Sequence, residues 1–159
     1  MHRETRLQVG ILLVSLPTVV YGGTAIMEML INDPAYTANP LRQALWRAGH
    51  GHAGMLLTLA LVALLYVDGA NLSERWKQFV RVSVPLSVLF FPLAFFLSVL
   101  SPTATKPNGM IYLAYVGSTL LFSGLLVLGI GYLRGLNKSA ASGSSSLSED
   151  GVGSGGGGE

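Results

Sequence analysis

A chain of 159 residues with 50% hydrophobic and only 11% charged residues, and a mean hydropathy of +0.53, is too apolar for a soluble domain of its length. The absence of cysteine excludes disulfides, thiolate chemistry and Cys-ligated zinc or iron–sulfur centres. The net charge of +2 arises from basic residues scattered between apolar blocks, so there is no dense cationic patch and no nucleic-acid partner is expected.

The apolar residues fall into four blocks, about 7–31, 43–67, 79–101 and 109–133. Each can cross a hydrocarbon core of roughly 30 Å at about 1.5 Å per helical residue. None shows the alternation or the roughly 10-residue length of barrel strands. The expected fold is all-α: an integral membrane four-helix bundle over residues 1–137, with the lipid bilayer as its first partner. Arg3 and Arg6 precede span 1, Arg75, Lys77 and Arg81 lie between spans 2 and 3, and Arg134 and Lys138 follow span 4. The positive-inside rule then places both termini in the cytoplasm of a multi-pass protein of the cell (inner) membrane.

Span 1 contains Pro17 and the pair Gly22 and Gly23, tolerated in a bilayer where neighbouring helices re-satisfy the freed backbone, and a bend is expected there. A cleaved secretory signal is the competing reading of this segment. However, apolar character continues through Ile26 to Ile31, longer than a signal core of about 7 to 15 residues. The connection Asn32 to Pro40 is dense in turn formers, and span 2 is expected to begin just after Pro40. Between spans 2 and 3, Gly69 offers a helix stop and Ser73 an N-cap. Trp76, Tyr66 and Tyr132 fall where an interfacial aromatic belt belongs. Pro85 and Pro92, seven apart, predict a curved span 3. Ser101 to Gly109 forms a second outer turn.

In span 4, Gly117, Gly124 and Gly131 recur every seven residues, drifting only about 20° per step. Such a small-residue seam serves helix packing, either within the bundle or as the face of a homo-oligomer. From Lys138 the chain is rich in Ser and Gly and lacks the apolar surface that offsets ordering entropy, so residues 138–159 are expected to be a disordered tail.

An ionisable group near the centre of a span costs about 2.5 to 3.5 kcal/mol on insertion scales, so each one needs an explanation. Glu28 ends span 1 on the outside, and Arg47, His50 and His52 re-enter in the first turns of span 2, at similar depth. With Tyr21 they define a binding or structural polar site in the outer half. Glu28 and Arg47 are expected to pair. His50 and His52 are two residues apart, so at about 100° per residue they point some 200° from one another and cannot share one metal from a regular helix. The small residues Ala48, Gly49, Gly51, Ala53 and Gly54 around them suit either close helix crossing or the approach of a flat cofactor.

The stretch Arg47-Ala48-Gly49-His50-Gly51-His52-Ala53-Gly54 resembles the R-A-G-H-x-H-A-G motif of small, uncharacterised prokaryotic four-helix membrane proteins. That resemblance implies the layout but no activity. It is more distantly similar to the His-x-His helix of haem–copper oxidase catalytic subunits, which implies haem on opposite sides of one helix. His2, the remaining histidine, precedes span 1, so an axial partner would have to be Met27, Met29, Met110, water or a second subunit.

Three functions compete: a non-enzymatic membrane protein whose polar residues, joined by Tyr112 and Tyr115, open to the outer face; a haem-binding or redox protein using His50 and His52; and a small proton or solute carrier using His50 and Glu28. No catalytic residues are assigned, since no Ser, His and carboxylate set or zinc motif of recognisable spacing is present.

Overall fold

The computed structural model describes residues 2–149, with side chains described through residue 136. Its helices are α1 (Arg3–Asn32), α2 (Pro34–Thr37), α3 (Pro40–Val67), α4 (Glu74–Ser98) and α5 (Leu113–Glu149), with a 3-10 turn at Gly109–Tyr112 leading into α5. Four stretches, Arg3–Asn32, Pro40–Val67, Glu74–Ser98 and Gly109–Leu136, are long and apolar enough to cross a membrane. The described residues contain no strand, so the architecture is all-helical and of the multi-pass membrane kind. Of the Ser/Gly-rich stretch expected to be disordered, 138–159, the backbone to residue 149 continues α5 as helix, and residues 150–159 lie outside the described residues.

Local chemistry sets the helix starts. Asp33 accepts from the amides of Ala35 at 2.9 Å and Tyr36 at 3.2 Å, which initiates the single turn of α2 behind Pro34. Asn39 caps α3 by accepting from the Arg42 amide at 3.0 Å, so α3 begins at Pro40 itself rather than after it. Ser73 stands at the N-cap of α4, but its hydroxyl makes no capping bond; its carbonyl accepts from Trp76 and Lys77, each at 3.0 Å. α4 consequently starts at Glu74, ahead of the apolar block that announced it.

The core is built on α3, where Leu57, Ala60, Leu64 and Val67 are buried at spacings of three, four and three, one face of a helix. That face meets Val80 and Val84 of α4, with Leu12 of α1 and Leu128 of α5 at its margins. α4 is the central helix, packing extensively on both α3 and α5, while α1 lies along α3. Gly117, Gly124 and Gly131 of α5 all face inward: a Cβ on Gly117 would meet Phe91 at 2.8 Å, one on Gly124 would meet Ser83 and Val84, and one on Gly131 would meet Leu72 at 2.6 Å. The seam is therefore filled by α4 and the loop before it.

One end of the molecule gathers the start of α1, the α3–α4 connection and the end of the fourth apolar stretch. There the His2 amide donates to Asp68 at 2.7 Å, the Asn71 amide to the Gly131 carbonyl at 3.3 Å, and the Tyr132 hydroxyl to the Tyr66 carbonyl at 2.7 Å. At the opposite end Asn39 Nδ2 donates to the carbonyls of Pro102 at 2.9 Å and Ala104 at 3.0 Å, tying the two connections together. Asn108 closes the second of these by donating to the Leu97 carbonyl at 3.0 Å.

Candidate functional site

The two histidines point to different neighbours, as their spacing demands. His50 reaches α1, where its Nε2 lies 3.0 Å from the Val19 carbonyl. A carbonyl only accepts, so Nε2 carries the proton and donates. The approach is possible because position 23 is glycine: a Cβ there would lie 2.8 Å from His50 Nε2, and one on Gly22 would touch the ring at 3.6 Å. His52 turns the other way. Its Nδ1 donates to the Ala48 carbonyl of its own helix at 2.8 Å, and its ring stacks on Phe91 of α4 at 5.4 Å and 4°, with Phe95 at 5.1 Å.

On its α1 side His50 does not offer Nε2 to a haem. The nitrogen of His50 nearest α1 is engaged by a backbone carbonyl, and the space a macrocycle would need on that side holds the backbone of Gly22 and Gly23. Among the described residues there is also no group of three His, Cys, Asp or Glu side chains placed to hold a metal. The cleft nearest the histidines, about 480 Å³ between α1, α3 and α4, passes Val19 and Ala53 and is otherwise apolar. Its two hydroxyls, Ser15 and Thr18, donate to carbonyls of their own helix.

The remaining expected members of the outer site do not assemble around the histidines. Glu28 accepts from Asn32 one turn along α1, and no ion pair joins it to Arg47 among the described residues, a correction to the pairing expected from their depth. Arg47 is exposed. Tyr21, Tyr112 and Tyr115 are 75%, 67% and 70% exposed, and the last two stack on one another rather than joining a network.

The buried cation at this end is instead Arg42, 8% exposed, which stands just ahead of the apolar block 43–67. Its guanidinium carbon lies 4.4 Å from the Trp46 ring centre and 6.0 Å from that of Tyr36. Tyr36 and Trp46 contact each other at 5.9 Å, and Phe96 of α4 closes the far side at 5.8 Å from Trp46. A readable signal existed: Arg42 and Trp46 are four apart, neighbours on one helical face. Burial pushes the Tyr36 phenol above its ordinary range, against the opposing charges of Arg47 and Arg42.

A second buried cation, Arg81, organises the opposite end. It is 1% exposed and donates through Nε to Thr5 Oγ1 at 3.1 Å and through Nη2 to Asp68 at 2.8 Å, with Nη1 on Glu74. Asp68 also accepts from Thr5 Oγ1 at 3.0 Å, while Gln8 donates to the Arg81 carbonyl at 3.0 Å and Lys77 to the Asp68 carbonyl at 2.8 Å. Burial would raise the Asp68 pKa, but the hydrogen bonds from Arg81, the His2 amide and Thr5, with the Arg81 charge, outweigh it and hold the carboxyl at about 2. This network fastens α1 to α4 through a single guanidinium fork.

Comparison with protein-family models, with curated proteins and with solved structures finds no match for this chain.

Proposed function

We propose that this chain is a non-catalytic, multi-pass protein of the cell (inner) membrane with both termini in the cytoplasm, whose histidine motif fixes helix packing rather than carrying chemistry. The observation that supports this reading most directly is the His50 bond to Val19 across the gap that Gly23 leaves open. The proton on His50 Nε2 is held by a backbone carbonyl of α1, which ties that nitrogen to helix packing. In His52, Nδ1 is bonded to its own helix and the ring stacks on Phe91, so Nε2 is the nitrogen that an absorbance spectrum probes for a ligand. The R-A-G-H-x-H-A-G stretch then works as a packing cassette: small residues bring α1 and α4 close, and one nitrogen of each imidazole is bonded to a nearby backbone carbonyl.

The proposed orientation follows from charge. Arg3, Arg6, Arg75, Lys77 and Arg81 cluster at the end where His2 meets Asp68, which makes that end cytoplasmic and the Arg42 end external.

The test is an absorbance spectrum and metal analysis of protein purified from haem-replete cells. The expected result is a colourless, metal-free protein whose His50→Ala and His52→Ala variants lose thermal stability without any spectral change. A visible haem band that disappears in either variant would overturn the reading.

A further inference from the structure

We propose that the external mouth of α3 binds the phosphate of an anionic phospholipid headgroup, held by Arg42 inside the Tyr36 and Trp46 rings with Arg47 as a second cation.

Arg42 is 8% exposed, yet its guanidinium has no hydrogen-bond or ion-pair partner among the described residues. Its Nε is fully buried and unbonded. So are the indole Nε1 of Trp46 and the hydroxyl of Tyr36, on the two rings that flank it. The guanidinium's own Nε and two orphaned groups on the flanking rings form a coherent deficit. Guanidinium and indole nitrogens only donate and the phenol can donate, so what the cluster lacks is an acceptor with several lone pairs and a negative charge. The protein does not supply one. The acids at this end are Glu28, bonded to Asn32, and Asp33, bonded to the amides that begin α2. A largely buried cation without an anion is unfavourable, and an anion that meets the unbonded terminal nitrogens of Arg42, which are not sealed as Nε is, offsets that cost.

The lipid source follows from position. Arg42 is the third residue of a membrane-crossing helix, and Trp46 lies one turn further in, so the cage stands at headgroup level beside acyl chains. Arg47, exposed further along α3, adds a second cation without an acidic partner at this end, which favours a net-negative headgroup over a zwitterionic one.

The experiment uses the full chain carrying Trp76→Phe, so that Trp46 is the sole indole and reports on the cage. Detergent-solubilised protein is titrated with short-chain phosphatidylglycerol, with phosphatidylcholine of the same chains, and with inorganic phosphate. Expected is a saturable change in Trp46 emission with phosphatidylglycerol at least about tenfold tighter than with phosphatidylcholine, and about tenfold or more weaker in Arg42→Gln, the scale of one charge-assisted bond. Arg75→Gln, at the other end, leaves binding unchanged. Arg42→Lys recovers part of the affinity, because it restores the charge without the fork. The two-lipid comparison on the parent protein decides the matter even if Arg42→Gln does not fold. Saturation by inorganic phosphate that displaces phosphatidylglycerol overturns the lipid assignment in favour of a soluble phosphate. Equal responses to the two lipids, or a phosphatidylglycerol response that survives in Arg42→Gln, overturn the site itself.

Discussion

His50 Nε2 donates to the carbonyl of Val19 at 3.0 Å, and the ring reaches that carbonyl only because residue 23, one turn further along α1, has no side chain. The bond and the glycine are one device, since a Cβ at position 23 would lie 2.8 Å from the same nitrogen. Gly23→Ala must therefore push the imidazole off Val19. We expect Gly23→Ala and His50→Ala each to destabilise the fold by about 1 kcal/mol, the scale of interhelical hydrogen bonds in membranes. In the His50→Ala background Gly23→Ala should be neutral or stabilising, because the clash is gone and alanine is the better helix former. Loss of helicity during titration of mixed micelles with a denaturing detergent gives the four stabilities; additive losses would show that the two residues act separately.

How much of this was legible depends on the range of the interaction. Hydrophobic length is a local property, and it identified the four crossing helices without reference to any contact. The divergence of His50 and His52 was also local, fixed by 100° per residue. Pairing was not. Depth alone suggested that Glu28 would meet Arg47, but Asn32 competes for Glu28 from one turn away on the same helix, at little entropic cost. Arg81 lies inside the apolar block 79–101 and could have been recognised as a buried cation in need of acids. Its value as an orientation signal masked its position, and its partners Thr5 and Asp68 are 76 and 13 residues away. Arg42 was hidden for a different reason, since its neighbours are aromatic rings rather than carboxylates.

Arg81 directs three separate N–H groups at Thr5, Glu74 and Asp68, a geometry that only a planar fork provides. Arg81→Gln should be destabilising through the loss of its charge-assisted hydrogen bonds, although the carboxylates it leaves, 25% exposed at Asp68 and 65% at Glu74, remain in reach of water. Arg81→Lys should recover little, because a single ammonium cannot meet three acceptors. Thermal unfolding in detergent tests both, and near-wild-type stability of the lysine variant would show that charge alone suffices.

Asp68 makes this end sensitive to acid. Its carboxyl titrates at about 2 in the folded protein, below the roughly 3.9 of an unfolded aspartate, so the folded state favours the ionised form. The resulting stabilisation, about 2 kcal/mol, is fully present above the unfolded value and is lost as pH falls from about 4 through about 2. Unfolding midpoints followed from pH 7 downward should show this loss in the parent chain. In Asp68→Asn the midpoint should already be lower at pH 7, with this acid-dependent component absent. An identical acid profile in the variant would mean that another carboxylate controls the transition.

The glycines of α5 separate packing from flexibility, because the helix carries both crowded and open examples. At Gly124 an added Cβ would collide with Ser83 and with the stiff, β-branched Val84 of α4, and at Gly131 it would meet Leu72 at 2.6 Å; at Gly129 nothing lies within 4 Å. If these residues served only to loosen the helix, alanine at any of them would have the same effect. Because two of them hold close contacts, with α4 and with the loop before it, Gly124→Ala and Gly131→Ala should cost about 1 to 3 kcal/mol, the penalty of overpacking, whereas Gly129→Ala should be neutral or stabilising. The losses should appear in the monomeric protein at high detergent-to-protein ratio, since the crowded atoms belong to the same chain. Destabilisation seen only at concentrations where the protein associates would instead place the seam between copies.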